Sequence, residues 1–328
     1  MNRAHLRGIA KKALGWTVTA IAAGFFAERI IANASHMPRI AWGAAAVGVS
    51  IASVLLALLA IVLSGLIWQV LLKDQRVRRP LVDVEALFLV SQFGKYLPGN
   101  VGQFVGRVVL GRDIGIPVPV TLATMLTEVL WSIGTALGVS TLSLYLFLDH
   151  RTALLPPWLS TAGLCVCFVA LLVVPWIGTT LIRHVFPGVV NKVFAGSELR
   201  PPGWGAALRV SALYVATYAS MGLILSLQAQ VFFGASPAPL LEVSGFFALA
   251  WLAGYLLPGA PAGIGVRESV MLLLFTPHYG ESVALAIGIT LRFATTLADA
   301  LAFVLGWYWR FVSRRSERHR ADISDEHD

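Results

Sequence analysis

Arg107 and Arg267 close the same phrase written twice: Gly94, Leu97, Pro98, Gly99 and Arg107 recur, 160 residues later, as Gly254, Leu257, Pro258, Gly259 and Arg267. The chemistry these residues suit is the binding of an oxyanion. A guanidinium offers a planar fork of donors that matches phosphate oxygens, and a lysine cannot imitate it. Gly99, Gly102 and Gly106 in the first copy, and Gly259, Gly263 and Gly265 in the second, let backbone N–H groups approach a ligand. Helices that restart after each Pro-Gly break would aim their positive ends at the same place. Lys95 adds a cation to the first copy, whereas its equivalent, Tyr255, offers only a hydroxyl, so the two half-sites differ. Kinks in packed helices and snorkelling arginines would explain one such phrase. Two copies with the arginine at one offset favour a functional cavity, because ionisable residues inside a membrane are usually functional.

Four more ionisable groups fall deep in apolar sequence. Glu128 shares a helical stripe with Thr124, Trp131 and Thr135; Arg292 and Asp299 lie seven apart with Thr295 and Thr296; Glu268 directly follows Arg267. Charges at such depth should pair within the protein. Glu128 with Arg292 is the expected ion pair, because their helices hold equivalent places in the two copies. A purely structural pair and a proton relay through Glu128 or Glu268 are both open at this level.

The surrounding composition fixes the class. With 57% hydrophobic and 13% charged residues among 328, and a mean hydropathy of +0.76, the chain is an integral membrane protein. Its apolar runs exceed the roughly 20 residues of a spanning helix and lack the alternation of a membrane β-barrel. The expected fold is all-α and polytopic, with six full spans near 13–33, 42–72, 117–148, 158–182, 206–234 and 281–311. Segments 81–112 and 240–279 hold the two Pro-Gly phrases.

Basic residues set the orientation. They collect at the N-terminus (Arg3, Arg7, Lys11, Lys12), at 73–80, around 183–205 and in the tail from Arg310 to Arg320. These regions, and both termini, are expected in the cytoplasm of a cell (inner) membrane protein. That parity works if each Pro-Gly segment returns to its starting side as a re-entrant hairpin, the first from inside and the second from outside. The chain then forms an inverted repeat, about 42–148 and 206–311, within one membrane domain, 1–312, followed by a polar tail, 313–328. Kinked full spans, eight crossings in all, are the rival arrangement. The first span also resembles a signal peptide ending near Ala34, although Glu28 and Arg29 and its length favour a retained helix.

The phrases Gly94-Lys-Tyr-Leu-Pro-Gly-Asn-Val-Gly-Gln-Phe-Val-Gly-Arg107 and Leu257-Pro-Gly-Ala-Pro-Ala-Gly-Ile-Gly-Val-Arg-Glu268 resemble the two hallmark segments of the lysylphosphatidylglycerol synthase transmembrane (flippase) family. The resemblance runs over about residues 10–312. It implies that Arg107, Arg267 and Glu268 belong to a lipid head-group cavity. Bifunctional members carry a soluble acyltransferase domain after the membrane part; here only the short polar stretch from Ser313 follows, so no synthase activity is expected.

These readings converge on a carrier for an anionic membrane lipid or a polyprenyl-phosphate-linked saccharide. A small-anion or proton-coupled transporter shares the charge features but needs an enclosed cavity rather than a lateral opening. A membrane enzyme acting on a lipid phosphate would need a base or nucleophile, for which Glu268 is the one candidate. No cofactor is expected. The histidines stand singly and Cys165 and Cys167 cannot bridge each other, so no metal site or disulfide is expected either. The pI near 9.9 reflects charge spread along one membrane face, which argues against nucleic-acid binding.

Overall fold

A computed structural model describes residues 38–96, 102–147, 202–257 and 263–325, with isolated helical positions at 24, 28, 31, 184 and 188. The spans expected at 13–33 and 158–182, the cysteines and both Leu-Pro-Gly turns, including Gly99 and Gly259, lie outside the described residues. What is described is helical, with no strand among those residues. In chain order the helices are α1 (Ala44–Asp74), α2 (Leu81–Gln92) with a 3-10 turn at Phe93–Tyr96, α3 (Gly102–Asp113), α4 (Val118–Phe147), α5 (Trp204–Phe233), α6 (Leu240–Leu256), α7 (Val266–Tyr279) and α8 (Glu281–Asp325).

Helix length separates two kinds of element. α1, α4, α5 and the Glu281–Ser313 part of α8 are apolar and 30 to 33 residues long, enough to cross a bilayer. At 1.5 Å per residue α1 reaches about 46 Å, so it tilts or protrudes. The 12 residues of α2 and of α3, and the 14 of α7, reach only about 18 to 21 Å and cannot cross a hydrocarbon core of about 30 Å. These short helices are hairpin arms.

The two arms of each phrase lie against each other. A Cβ on Gly94 would overlap the backbone of Gly102 and Gln103, and one on Gly106 would lie 3.3 Å from the Ser91 Cβ. In the second copy Gly254 meets Gly263 and Arg267 in the same manner. The first glycine of each phrase is therefore where the two arms touch, and only a missing side chain allows that approach. Both pairs of arms are re-entrant hairpins, which decides against kinked full spans. Pro80 and Pro239 precede the first arms and end the preceding loops with a backbone angle that suits helix entry.

The two repeats pack reciprocally. α1 lies along α5; α4, which closes the first repeat, packs on α6 of the second; α8, which closes the second, packs on α2 of the first. α1 and α5 run antiparallel, as contacts at both ends show: the Gln228 amide donates to Ser53 Oγ at 3.1 Å, and the Gly203 N–H donates to the Asp74 carboxylate. One hairpin follows the C-terminal end of α1 and the other the C-terminal end of α5, so they enter from opposite faces. This is an inverted repeat.

Small residues and buried polar pairs hold the spans together where no hydrophobic effect drives association. Gly222 and Gly245 let α5 and α4 close on α6, against Ser244 and Ser143. Trp68 donates to Thr124 and Trp131 to Ser211 across neighbouring spans. Thr290, Gln228 and Ser53 join α8, α5 and α1 in one chain of hydrogen bonds. Span boundaries agree with the expected ones within a few residues, except that α8 continues as helix to Asp325 through most of the polar tail.

Introducing Ser91→Cys with Gly106→Cys should give an intramolecular disulfide under mild oxidation, since the separation approaches the roughly 3.5–4.5 Å between Cβ atoms of a natural bridge. Gel mobility after proteolysis between positions 91 and 106 would read it. Failure to cross-link would contradict the hairpin.

Candidate functional site

The inner ends of both hairpins face one cavity of about 240 Å³. Its wall takes Lys95, Tyr96, Gln103 and Arg107 from the first hairpin, Tyr255, Gly263 and Arg267 from the second, Glu128 from α4, and Arg292 and Asp299 from α8. Irregular backbone inside a membrane is tolerated where it borders such a protein-lined space. Of the residues expected to form the site, Lys95, Arg107, Glu128, Gly263, Arg267, Arg292 and Asp299 all border it. Gly102 opens α3 but is covered by Gly94, and Glu268 lies behind Arg267.

Among the described residues Arg107 is the most deeply held cation, only 2% exposed. Its two terminal nitrogens donate to both oxygens of Glu128, at 2.5 and 3.2 Å. Its guanidinium carbon also lies 4.2 Å from the centre of the Phe88 ring and 5.5 Å from that of Trp68. A fork on a carboxylate with an aromatic floor uses most of what an arginine offers. Glu128 thus takes Arg107, not the expected Arg292. The arm α3 leads directly into α4, so the short loop brings the arginine to the next span within its own repeat.

Arg292 finds a carboxylate by the same rule in the second repeat: its terminal nitrogen is 3.5 Å from Glu268 on the preceding arm, α7. The signs are exchanged between repeats. In the first, the arm carries the arginine and the span the glutamate; in the second, the arm carries the glutamate and the span the arginine. Arg267, the true equivalent of Arg107, is left with its neighbour Glu268, at 3.2 Å.

Glu268 does a third task. Its other oxygen accepts the N–H of Gly265 at 2.8 Å, at the start of α7, where Gly265 takes a φ of +83°. A carboxylate at this position answers the positive helix end. That occupies the group considered as a base or proton carrier and closes part of the bare helix terminus expected to meet the ligand.

Lys95 and Asp299 join the two repeats. Lys95 Nζ lies 2.6 Å from Asp299, and the Tyr96 hydroxyl donates to the other Asp299 oxygen at 2.5 Å. The first hairpin tip is thereby tied to α8.

Aromatic residues make much of the remaining wall, and of these sequence reasoning singled out only Tyr255, passing over Tyr214, Tyr218 and Trp251. Tyr214 and Tyr218, one turn apart on α5, donate to the carbonyls of Glu128 and Ser132, one turn apart on α4, both at 3.1 Å. Trp251 stacks on Tyr255 with centroids 4.8 Å apart. The one-turn spacing of the tyrosines was the readable signal. Glu85 was also missed: it is 4% exposed on α2, packed into the space left by Gly65, and neither carboxyl oxygen has a hydrogen-bond partner among the described residues. Its signal was an acid one turn into an apolar arm.

A family model described as the lysylphosphatidylglycerol synthase TM region matches residues 11–302. The chain belongs to this family. The match takes in both hairpins, three of the four described spans whole and the fourth as far as residue 302, and every wall residue named above, within the bounds that the Pro-Gly phrases suggested. Family membership makes this a multi-pass membrane protein related to lipid handling. No curated protein matches the chain.

Within this member of the family, Arg107→Ala would leave Glu128 unpaired in a buried site and should cost about 3–5 kcal/mol of stability. Thermal unfolding in detergent reads the loss. Arg107→Gln combined with Glu128→Gln should recover much of it, and equal destabilisation by the double change would show that the pair itself is not what stabilises.

Proposed function

We propose that this protein is a lipid transporter, a flippase, that carries an anionic lipid or a polyprenyl-phosphate-linked lipid across the membrane. The observation that carries this reading is the convergence of both re-entrant hairpins, from opposite faces, on one cationic cavity in a family related to lipid handling. Sites at the meeting of inverted repeats are where alternating-access carriers hold their cargo. About 240 Å³ suits a head group and not a whole lipid, so the acyl or prenyl chains stay in the bilayer while the head group enters.

In this mechanism the two repeats rock about the cavity. The Lys95–Asp299 tie closes one side, and its opening admits the head group. Arg267 holds the phosphate in both states, which stabilises the crossing without favouring either face. The protein is read as a carrier and not an enzyme, a choice supported by the commitment of Glu268 to a helix end and two arginines. Its partner in this reading is an anionic membrane lipid or lipid-linked saccharide.

We place both termini in the cytoplasm of a cell (inner) membrane. Support comes from the gathering of Arg76, Arg78 and Arg79 after α1 and of Arg310 on α8 near Asp113, all at the face where the first hairpin opens.

Arg267→Ala should abolish lipid movement in proteoliposomes while leaving membrane insertion intact, because truncating a buried charged ligand costs about 2–5 kcal/mol of binding. Arg267→Lys should restore part of it. Normal transport by Arg267→Ala would sink the model, and transport of inorganic phosphate with no lipid movement would favour a small-anion carrier.

A further inference from the structure

The acids at the cavity all have partners. Glu128 holds Arg107, Asp299 holds Lys95 and Tyr96, and Glu268, behind Arg267, holds the Gly265 N–H and two arginines. Glu85 is different. It stands on α2 outside the cavity wall, 4% exposed, and neither carboxyl oxygen has a hydrogen-bond partner among the described residues. The carboxyl lies so close to Gly65 of α1 that a Cβ there would collide with both oxygens. Gln69, one turn further along the same side of α1, is 3% exposed, and its Oε1 is also buried without a partner. The contact of α1 with α2 therefore buries three acceptor oxygens that no donor answers.

Among the described residues, no charged group of the elements around Glu85 meets it. On its own arm Asp83 is a second acid, and Lys73 of α1 and Arg112 of α3 are exposed. Arg79, in the loop before α2, donates to the Gly115 carbonyl. Lys95 is on Asp299, Arg107 on Glu128, Arg292 on Glu268 and Arg310 on Asp113. A carboxylate left bare at this depth is heavily penalised, and a proton removes the penalty. A metal ion would not serve, because hard cations gather about six or more oxygens and three are present. Nor does the fold demand an acid here. At the offset of 160 that relates the repeats, Gly65, Gln69 and Glu85 become Leu225, Ala229 and Gly245, so the second arm packs on its span without one.

We infer that Glu85 is a proton-binding site and, resting on the reading of the protein as a lipid carrier, that its proton is the ion coupled to transport. While α2 lies on α1 the carboxyl is neutral. The way out is short: the Gln69 amide donates at 3.0 Å to the carbonyl of Arg79, in the basic loop at the face where the first hairpin opens. When the arm parts from α1, water reaches Glu85 from that face and takes up the proton, and the charge left behind favours the parted arrangement. A ligand held in one of two arrangements shifts the balance between them. A pH difference across the membrane thereby gives lipid movement a direction.

Two measurements on the full-length protein test this. In nanodiscs, infrared spectra taken from about pH 6 to about pH 9 should show the carbonyl band of a buried protonated carboxyl that fades as pH rises and is missing from Glu85→Gln. In proteoliposomes containing fluorescent phosphatidylglycerol, an imposed pH difference should speed wild-type lipid movement severalfold. Glu85→Gln should lose that response and move lipid at one rate with or without the difference, while Glu85→Asp, which keeps an acid, should recover part of it. Absence of the band from the wild type, or a response to the pH difference that Glu85→Gln retains, would overturn the inference and leave the carrier reading intact. The band present with no lipid movement by any of the three proteins would overturn the carrier reading, and the coupling with it, while leaving the proton on Glu85.

Discussion

The Arg107–Glu128 pair holds the first hairpin to the span that follows it, and the physical need it meets governs the rest of the molecule. A guanidinium at 2% exposure in a membrane protein must find its counter-charge within the protein. A hairpin with Gly in its arms and a Pro-Gly turn has broken backbone that must be covered as well. The same few contacts meet both demands: Gly94 closes the arms, Arg107 anchors the second arm to α4, and Lys95 with Tyr96 anchors the tip to α8. Hairpins of 12-residue arms persist in a membrane because both neighbours and ion pairs hold them.

Symmetry of backbone and asymmetry of charge have separate roles. α4 on α6 and α8 on α2 repeat one packing with the two halves exchanged, which gives a carrier two related arrangements to pass between. The charges do not repeat. Val108 stands where the second copy has Glu268, and Ser132 stands where it has Arg292. The first repeat therefore pairs its arginine with the glutamate of the span that follows, whereas in the second both Arg267 and Arg292 meet Glu268.

Much of this was legible in the sequence because a membrane simplifies the code. Apolar length alone located α1, α4, α5 and α8, and the repeated phrase located both hairpins. The basic loops predicted the re-entrant topology through parity, and the contact of Ser91 with Gly106 bears that out. Partner choice was not legible. Glu128 was assigned to Arg292 on the ground that their spans are equivalent, but equivalence by symmetry is not proximity: Glu128 meets Arg107 on the arm that leads into its span, and Arg292 meets Glu268 on the arm that leads into its own. The double use of Glu268 depends on the φ of Gly265, which sequence does not state. The aromatic wall was hidden for a different reason, since Tyr and Trp in apolar helices read as ordinary core or interface residues.

The central claim is that the space between the hairpins holds a lipid head group. An electron cryomicroscopy structure of the protein in lipid nanodiscs tests it most directly. The account predicts density for a phosphate within hydrogen-bonding distance of Arg267 and Arg292, continuous with chains that leave the protein laterally into the bilayer. A cavity closed to the bilayer on every side, holding only water or a small ion, would contradict it.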